Sequence, residues 1–146
     1  MAKRAVLREV IITLPMAPEM EIVACEKASA IAESMSMSPD KIDEVKMAVI
    51  EACLNACEHS RASRREIEMV FAVLGDQEPE KLQITVRDGG VGFRSEGREA
   101  KDSTGDAASK ALTKRGWGLQ IMEGLMDEVQ IKSTASGTTI VMLKAR

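Results

Sequence analysis

The segment Leu82-Gln-Ile-Thr-Val-Arg-Asp-Gly-Gly-Val-Gly92 decides the reading of this chain, because an alternating apolar run ends on an acid and opens at once into glycines. Leu82, Ile84 and Val86 alternate with Gln83, Thr85 and Arg87, the period of a strand with one buried face. Upstream, Ile67, Met69, Phe71 and Val73 alternate with Glu66, Glu68, Val70 and Ala72, and a turn-like stretch over residues 75–81 joins the two runs. The pair predicts an antiparallel hairpin, and Asp88 is then a carboxylate held at the end of a rigid element.

Outward from the hairpin, Val6 to Leu14 has strand character and Pro15 ends it. Residues 18–35 carry Met20, Ile22, Val23, Ala30, Ile31 and Met35 at helical spacings. Ser38 suits an N-cap, Pro39 the first helical position, and Asp40 and Asp43 the positive end of the dipole. From there Ile42, Val45, Val49, Ala52, Cys53 and Ala56 recur at three and four and predict one buried face out to about His59. After the glycines, a polar stretch over residues 92–114 is too long for an ordinary connection and reads as a candidate lid. Leu119, Ile121, Met122, Leu125 and Met126 predict a short helix, and Val129, Ile131 and the run from Ile140 to Leu143 predict two strands joined at Ser136-Gly137. The sum is α+β, a two-layer sandwich of a mainly antiparallel sheet with helices on one face.

At 146 residues with 45% hydrophobic content, the expectation is a single domain over residues 1–146. A net charge of −3 gives no electrostatic reason for direct nucleic-acid binding. No apolar stretch approaches the roughly 18 residues of a membrane span, and Met1-Ala2-Lys3-Arg4 does not lead into a signal-peptide core. Cys25, Cys53 and Cys57 lie within helical patterns, as reduced thiols do, so a cytoplasmic setting without membrane contact is expected. Cys53, Cys57 and His59 are neighbours on one helix and do not enclose a tetrahedral ion. The ten methionines read as core filler, with a weaker pointer to a binding surface at Met16, Met20, Met35 and Met37.

The chemistry gathers at two places. Glu51 and Asn55 stand four apart on the predicted helix, so their side chains project from one face. An Asn amide oxygen suits Mg²⁺, and a Glu one turn away can accept a proton from an attacking hydroxyl. The Asp88 carboxylate can accept a hydrogen bond from an exocyclic amine such as that of adenine, and Gly90 and Gly92 let backbone approach a ligand closely. Gly116 and Gly118 precede a helix whose first N–H groups can meet an anion, with Lys114 and Arg115 adding charge. Each element alone is common surface or turn chemistry; their order along one chain points to a nucleotide phosphate site.

That ordered set carries a family resemblance over nearly the whole chain. Glu51-Ala-Cys-Leu-Asn55 with His59 resembles the N box of the ATPase superfamily that includes gyrase, heat-shock chaperones, histidine kinases and mismatch-repair MutL. Asp88-Gly-Gly-Val-Gly92 resembles its first glycine box, Arg115-Gly-Trp-Gly-Leu119 its second, and Ser136-Gly-Thr-Thr-Ile-Val its closing strand. The short length and the segment from Met122 to Val129 are most similar to the anti-sigma-factor serine/threonine kinases of the RsbW and SpoIIAB type. The resemblance implies a Bergerat-type ATP-binding fold using ATP and Mg²⁺. It implies Glu51 as catalytic base, Asn55 as the Mg²⁺ ligand, and Asp88 reading the adenine amine with Thr138 supporting it through water. Gly90, Gly92, Gly116, Gly118 and Leu119 would line the phosphates, Lys114 or Arg115 would reach the terminal one, and residues 93–115 would form the ATP lid, with Trp117 packing at its hinge.

The resemblance further implies a partner switch: the kinase holds a sigma factor, and it phosphorylates a serine on a small anti-anti-sigma protein of the STAS type. It leaves a homodimer open, since the first helix lies near a dimer contact in related proteins. Two other readings compete. One is a nucleotide-dependent binding module, which would have no need of the Glu51 carboxylate; the other is a histidine-kinase catalytic domain detached from its receiver-facing helices, and the sequence shows no upstream two-helix segment with a phospho-acceptor His.

Overall fold

The computed structural model describes residues 5–59, 65–88, 118–134 and 137–146. In chain order these form strand β1 (Ala5–Pro15), helices α1 (Met20–Ser34) and α2 (Pro39–His59), strands β2 (Glu66–Gly75) and β3 (Pro79–Asp88), helix α3 (Gly118–Leu125), and strands β4 (Glu128–Thr134) and β5 (Gly137–Ala145). The five strands make one sheet in the order β1-β2-β3-β5-β4, antiparallel at every pairing. The α+β reading therefore holds, and so does the hairpin, whose register sets Phe71 opposite Ile84 and Met69 opposite Val86.

The two-residue period determines what reaches the helix-covered face. Ile67, Met69, Phe71 and Val73 of β2, Leu82, Ile84 and Val86 of β3, and Ile140 and Met142 of β5 are all buried and join one core with α1, α2 and α3. The same alternation carries Asp88, the next inward position after Val86, into that layer, where it is 3% exposed. Helix α2 lays Val45, Val49, Ala52, Cys53 and Ala56 onto this core, and α1 adds Ala24, Ala28, Ile31 and Ala32. Buried alanines on both helices let their backbones sit close together, which seats α2 deep over the sheet. Methionine fills the remaining gaps: Met35, Met69, Met122 and Met142 are essentially inaccessible. The pointer to a methionine surface near α1 fails, because Met20, Met35 and Met37 are core residues and Met16 packs half-buried against them.

The helix ends follow their local chemistry. Lys41 N–H donates to Ser38 Oγ at 3.3 Å, so Ser38 caps α2 and Pro39 begins it, as the sequence predicts. Helix α1 begins at Met20, two residues later than its apolar pattern suggests, because Glu19 sits at φ 74° and gives no side-chain cap. Its other end closes with Met37 N–H donating to Ala32 O and Ser36 N–H to Glu33 O, a Schellman arrangement. That arrangement holds Ser36 at φ 66°, a conformation in which a Cβ is strained. Ser36→Gly is accordingly expected to stabilise the protein by about 0.5–1 kcal/mol despite the greater freedom of glycine in the unfolded chain, measured as a raised urea midpoint at unchanged slope.

Candidate functional site

The chain leaves the sheet at Asp88 and is described again from Gly118, the first residue of α3. At that point α3 meets α2. A methyl group on Gly118 would lie 2.6 Å from Asn55 Nδ2, 3.1 Å from Glu51 Oε1 and 3.2 Å from Asn55 Oδ1, so only glycine fits there without displacing one of them. Two oxygens from consecutive turns of α2 thus converge on the helix start, as their four-residue spacing predicts. Asn55 is 1% exposed, and neither Nδ2 nor Oδ1 has a hydrogen-bond partner among the described residues. A buried amide ordinarily has a hydrogen-bond partner, and leaving it without one costs about 1–3 kcal/mol.

A second group forms where β3 ends beside the start of β5. Thr138 N–H donates to Asp88 Oδ1 at 3.1 Å. A methyl on Gly137 would fall 2.2 Å from the same oxygen, so glycine is needed for the approach. Thr138 therefore meets Asp88 directly by its main chain. Gly137, which the sequence offers only as a strand joint and a member of the closing-strand motif, lies beside Asp88 for a reason of space that appears only once β5 lies against β3. Helix α2 packs across both β3 and β5 and so spans the two groups.

Of the other expected site residues, Leu119 follows Gly118 in α3 and is partly buried against the core. Gly90, Gly92, Lys114, Arg115 and Gly116 lie outside the described residues, as do the candidate lid over 93–115 and Trp117. The side chain of His59 is likewise not described. A surface groove of about 420 Å³ between α1 and α2, lined by residues such as Cys25, Glu26, Glu33 and Lys46, includes none of the site residues.

The three cysteines are free thiols, Cys25 and Cys53 buried and Cys57 half-buried. Cys53 lies in the core with its sulfur 4.0 Å from that of Met69, and burial, followed by the neighbouring Cys57, pushes its thiol up to about 12. Burial also raises Cys25 and Cys57 above the ordinary value of 9.0. Burial thus favours the protonated thiol at all three positions.

An open antiparallel sheet under helices, with an Asn and a Glu of one helix facing the glycine start of another, defines a class of nucleotide-binding domains. The model of the histidine kinase-like ATPase domain matches residues 14–144. The chain belongs to this family of ATP-using domains and, within it, to the serine-protein kinases of the RsbW type. It is 33% identical to the serine-protein kinase RsbW of Bacillus velezensis over 135 residues, covering 90% of this chain and 81% of that protein. To the serine-protein kinase RsbW of Bacillus subtilis it is 32% identical over 135 residues, with the same coverage. Its fold is similar to the solved RsbU and RsbW domains of a Mycobacterium tuberculosis protein, with TM-score 0.67 and 21% identity over 95% of this chain and 33% of that one. No described helix is long and apolar enough to cross a membrane.

Gly118→Ala is expected to displace the Asn55 amide and weaken ATP binding by about tenfold, near 1.4 kcal/mol, although alanine is the better helix former. Titration calorimetry checks it. Cys53 predicts an alkaline limit on stability: between pH 9 and about 12 the unfolded state loses a proton that the folded state keeps, so stability falls as pH rises. Below pH 9 this contribution is fully present. Urea unfolding from pH 8 to 10.5 should show the decline, and Cys53→Ala should flatten it.

Proposed function

We propose that this chain transfers the terminal phosphoryl group of ATP to a serine of a small antagonist protein of the STAS type, and that it otherwise holds a sigma factor away from RNA polymerase. The observation that carries the reading is the buried Asn55 amide, without a hydrogen-bond partner among the described residues, facing Gly118 beside Glu51. An amide oxygen there fits a hard cation, which takes most of its other ligands from water and phosphate. Asn55 Oδ1 would hold Mg²⁺, whose charge would offset that of the phosphate oxygens.

The residues divide the work. Asp88, its carboxylate fixed by the Thr138 N–H, would accept the adenine amine. The main chain at Gly118 and Leu119 would face the phosphates, together with Gly90, Gly92 and Gly116, and Lys114 or Arg115 would reach the terminal one. The serine hydroxyl oxygen would bond to the terminal phosphorus, the bond from that phosphorus to the oxygen retained by ADP would break, and the hydroxyl proton would pass to Glu51. Positioning and charge neutralisation dominate such a transfer. The product carries about −1.5 to −2 added charges, which would expel the antagonist by repulsion and desolvation. In this reading residues 1–146 act as one ATPase domain in the cytoplasm.

The test incubates the protein with radiolabelled ATP, Mg²⁺ and antagonist proteins encoded near its gene. Wild type is expected to label one of them on serine, with Glu51→Ala about 10²–10⁴-fold slower and Asn55→Ala inactive for lack of the metal ligand. Asp88→Asn should cost about 1–3 kcal/mol in ATP affinity. Tight ATP binding by the wild type with no transfer to any candidate would replace the kinase reading with that of a nucleotide-dependent binding module.

A further inference from the structure

Strand β5 sends Ile140, Met142 and Lys144 in succession to the helix-covered face, so a lysine takes a position that the alternation would give to an apolar residue. Lys144 is 7% exposed. Its Nζ donates to Glu44 Oε1 of α2 at 2.7 Å and to Leu125 O, at the C-terminal end of α3, at 2.5 Å. One cation therefore joins β5, α2 and the last turn of α3, where the helix dipole also favours positive charge.

The spacing ties this cluster to the nucleotide site. Glu44 and Glu51 are seven residues apart on α2, about 10 Å along its axis, and share one face. Gly118 and Leu125 are seven residues apart on α3, the same distance. Helix α3 lies antiparallel along that face of α2, with Gly118 against Glu51 and Asn55 at one end and Leu125 held to Glu44 through Lys144 at the other. The final strand is fastened to the same region of α2 by Lys41, whose Nζ donates to Ala145 O at 3.3 Å.

We propose that Lys144 is a positioning residue for the nucleotide site: by clamping the far end of α3 onto Glu44, it fixes the distance between Gly118 and the Glu51–Asn55 pair. Burial alone does not account for a lysine here. Replacing a buried charged pair with apolar side chains is often neutral or stabilising, and Glu44, whose side chain is 43% exposed, can return to water if its partner is lost. What a lysine adds over a methionine is direction, because its N–H bonds specify where two helices meet.

The inference rests on the nucleotide-site reading, and its test separates the two. Lys144→Met and Glu44→Gln are compared with wild type and with Val73→Ala, a core change in β2 that costs stability away from the site. Urea unfolding, amide hydrogen exchange of residues 119–125 in nucleotide-free protein, and ATP affinity by calorimetry are measured on each. The expected result for Lys144→Met is near-unchanged stability, faster exchange across α3 and ATP affinity about five- to tenfold weaker, with Glu44→Gln intermediate. Val73→Ala should lose stability and keep its ATP affinity. Unchanged exchange in both pair variants, or an affinity loss that merely follows stability in all three, overturns the proposal. If Lys144→Met does not fold, Glu44→Gln decides by the same readouts. Failure of the wild type to bind ATP would remove the functional reading, while the exchange comparison would still decide whether Lys144 holds α3.

Discussion

The molecule is organised by the close approach of one glycine to two side chains of a neighbouring helix. Gly118 sits so near Asn55 and Glu51 that a side chain there would displace one of them, and this sets how closely the start of α3 meets α2. Alanine brings α1 and α2 together: Ala24, Ala28 and Ala32 on α1 and Ala48 and Ala52 on α2 are fully buried, and larger residues would push the helices apart. Met122 anchors α3 from within the core, and Lys144 holds its far end. Core packing and site geometry are in this sense one problem with one solution.

Two buried polar groups of the site are treated in opposite ways. Asp88 is locked by a main-chain N–H and a glycine beside it, so its carboxylate is already oriented. Asn55 carries both amide atoms into the interior with no partner among the described residues. A buried amide ordinarily finds a partner, and in the proposed site that partner would be the ligand. One carboxylate is thus oriented in advance, whereas the amide keeps hydrogen-bonding capacity that the proposed nucleotide and its cation would use.

Much of this was legible in the sequence because the signals were periodic. The alternation over 67–73 and 82–86 gave the hairpin and its inward face, and Ser38-Pro39 marked the start of α2 to the residue. Glu51 and Asn55 shared a face because four residues complete a turn, and the structure brings them together on Gly118. What escaped depended on contacts between distant segments. Nothing local says that Glu19 adopts a left-handed conformation, so the apolar pattern runs two residues ahead of the start of α1. Gly137 gains its meaning only when β5 pairs with β3 in a register that sets it beside Asp88. Lys144 left a faint trace as the charged member of the Ile140, Met142, Lys144 series, but its partners lie 19 and 100 residues away.

The outer margin of β1 has a consequence for how a foreign strand could meet the sheet. This strand borders the sheet and exposes Val6, Leu7 and Ile11, the features of an edge that invites a foreign backbone. Its pairing with β2 slips between Val6 and Arg8, and it closes on Pro15, which has no N–H to offer. An intruding strand would find an even ladder only from Arg8 to Leu14, with the charges of Arg8 and Glu9 at its head. Irregular at one end and donorless at the other, the margin limits how far a stray chain could zip along it.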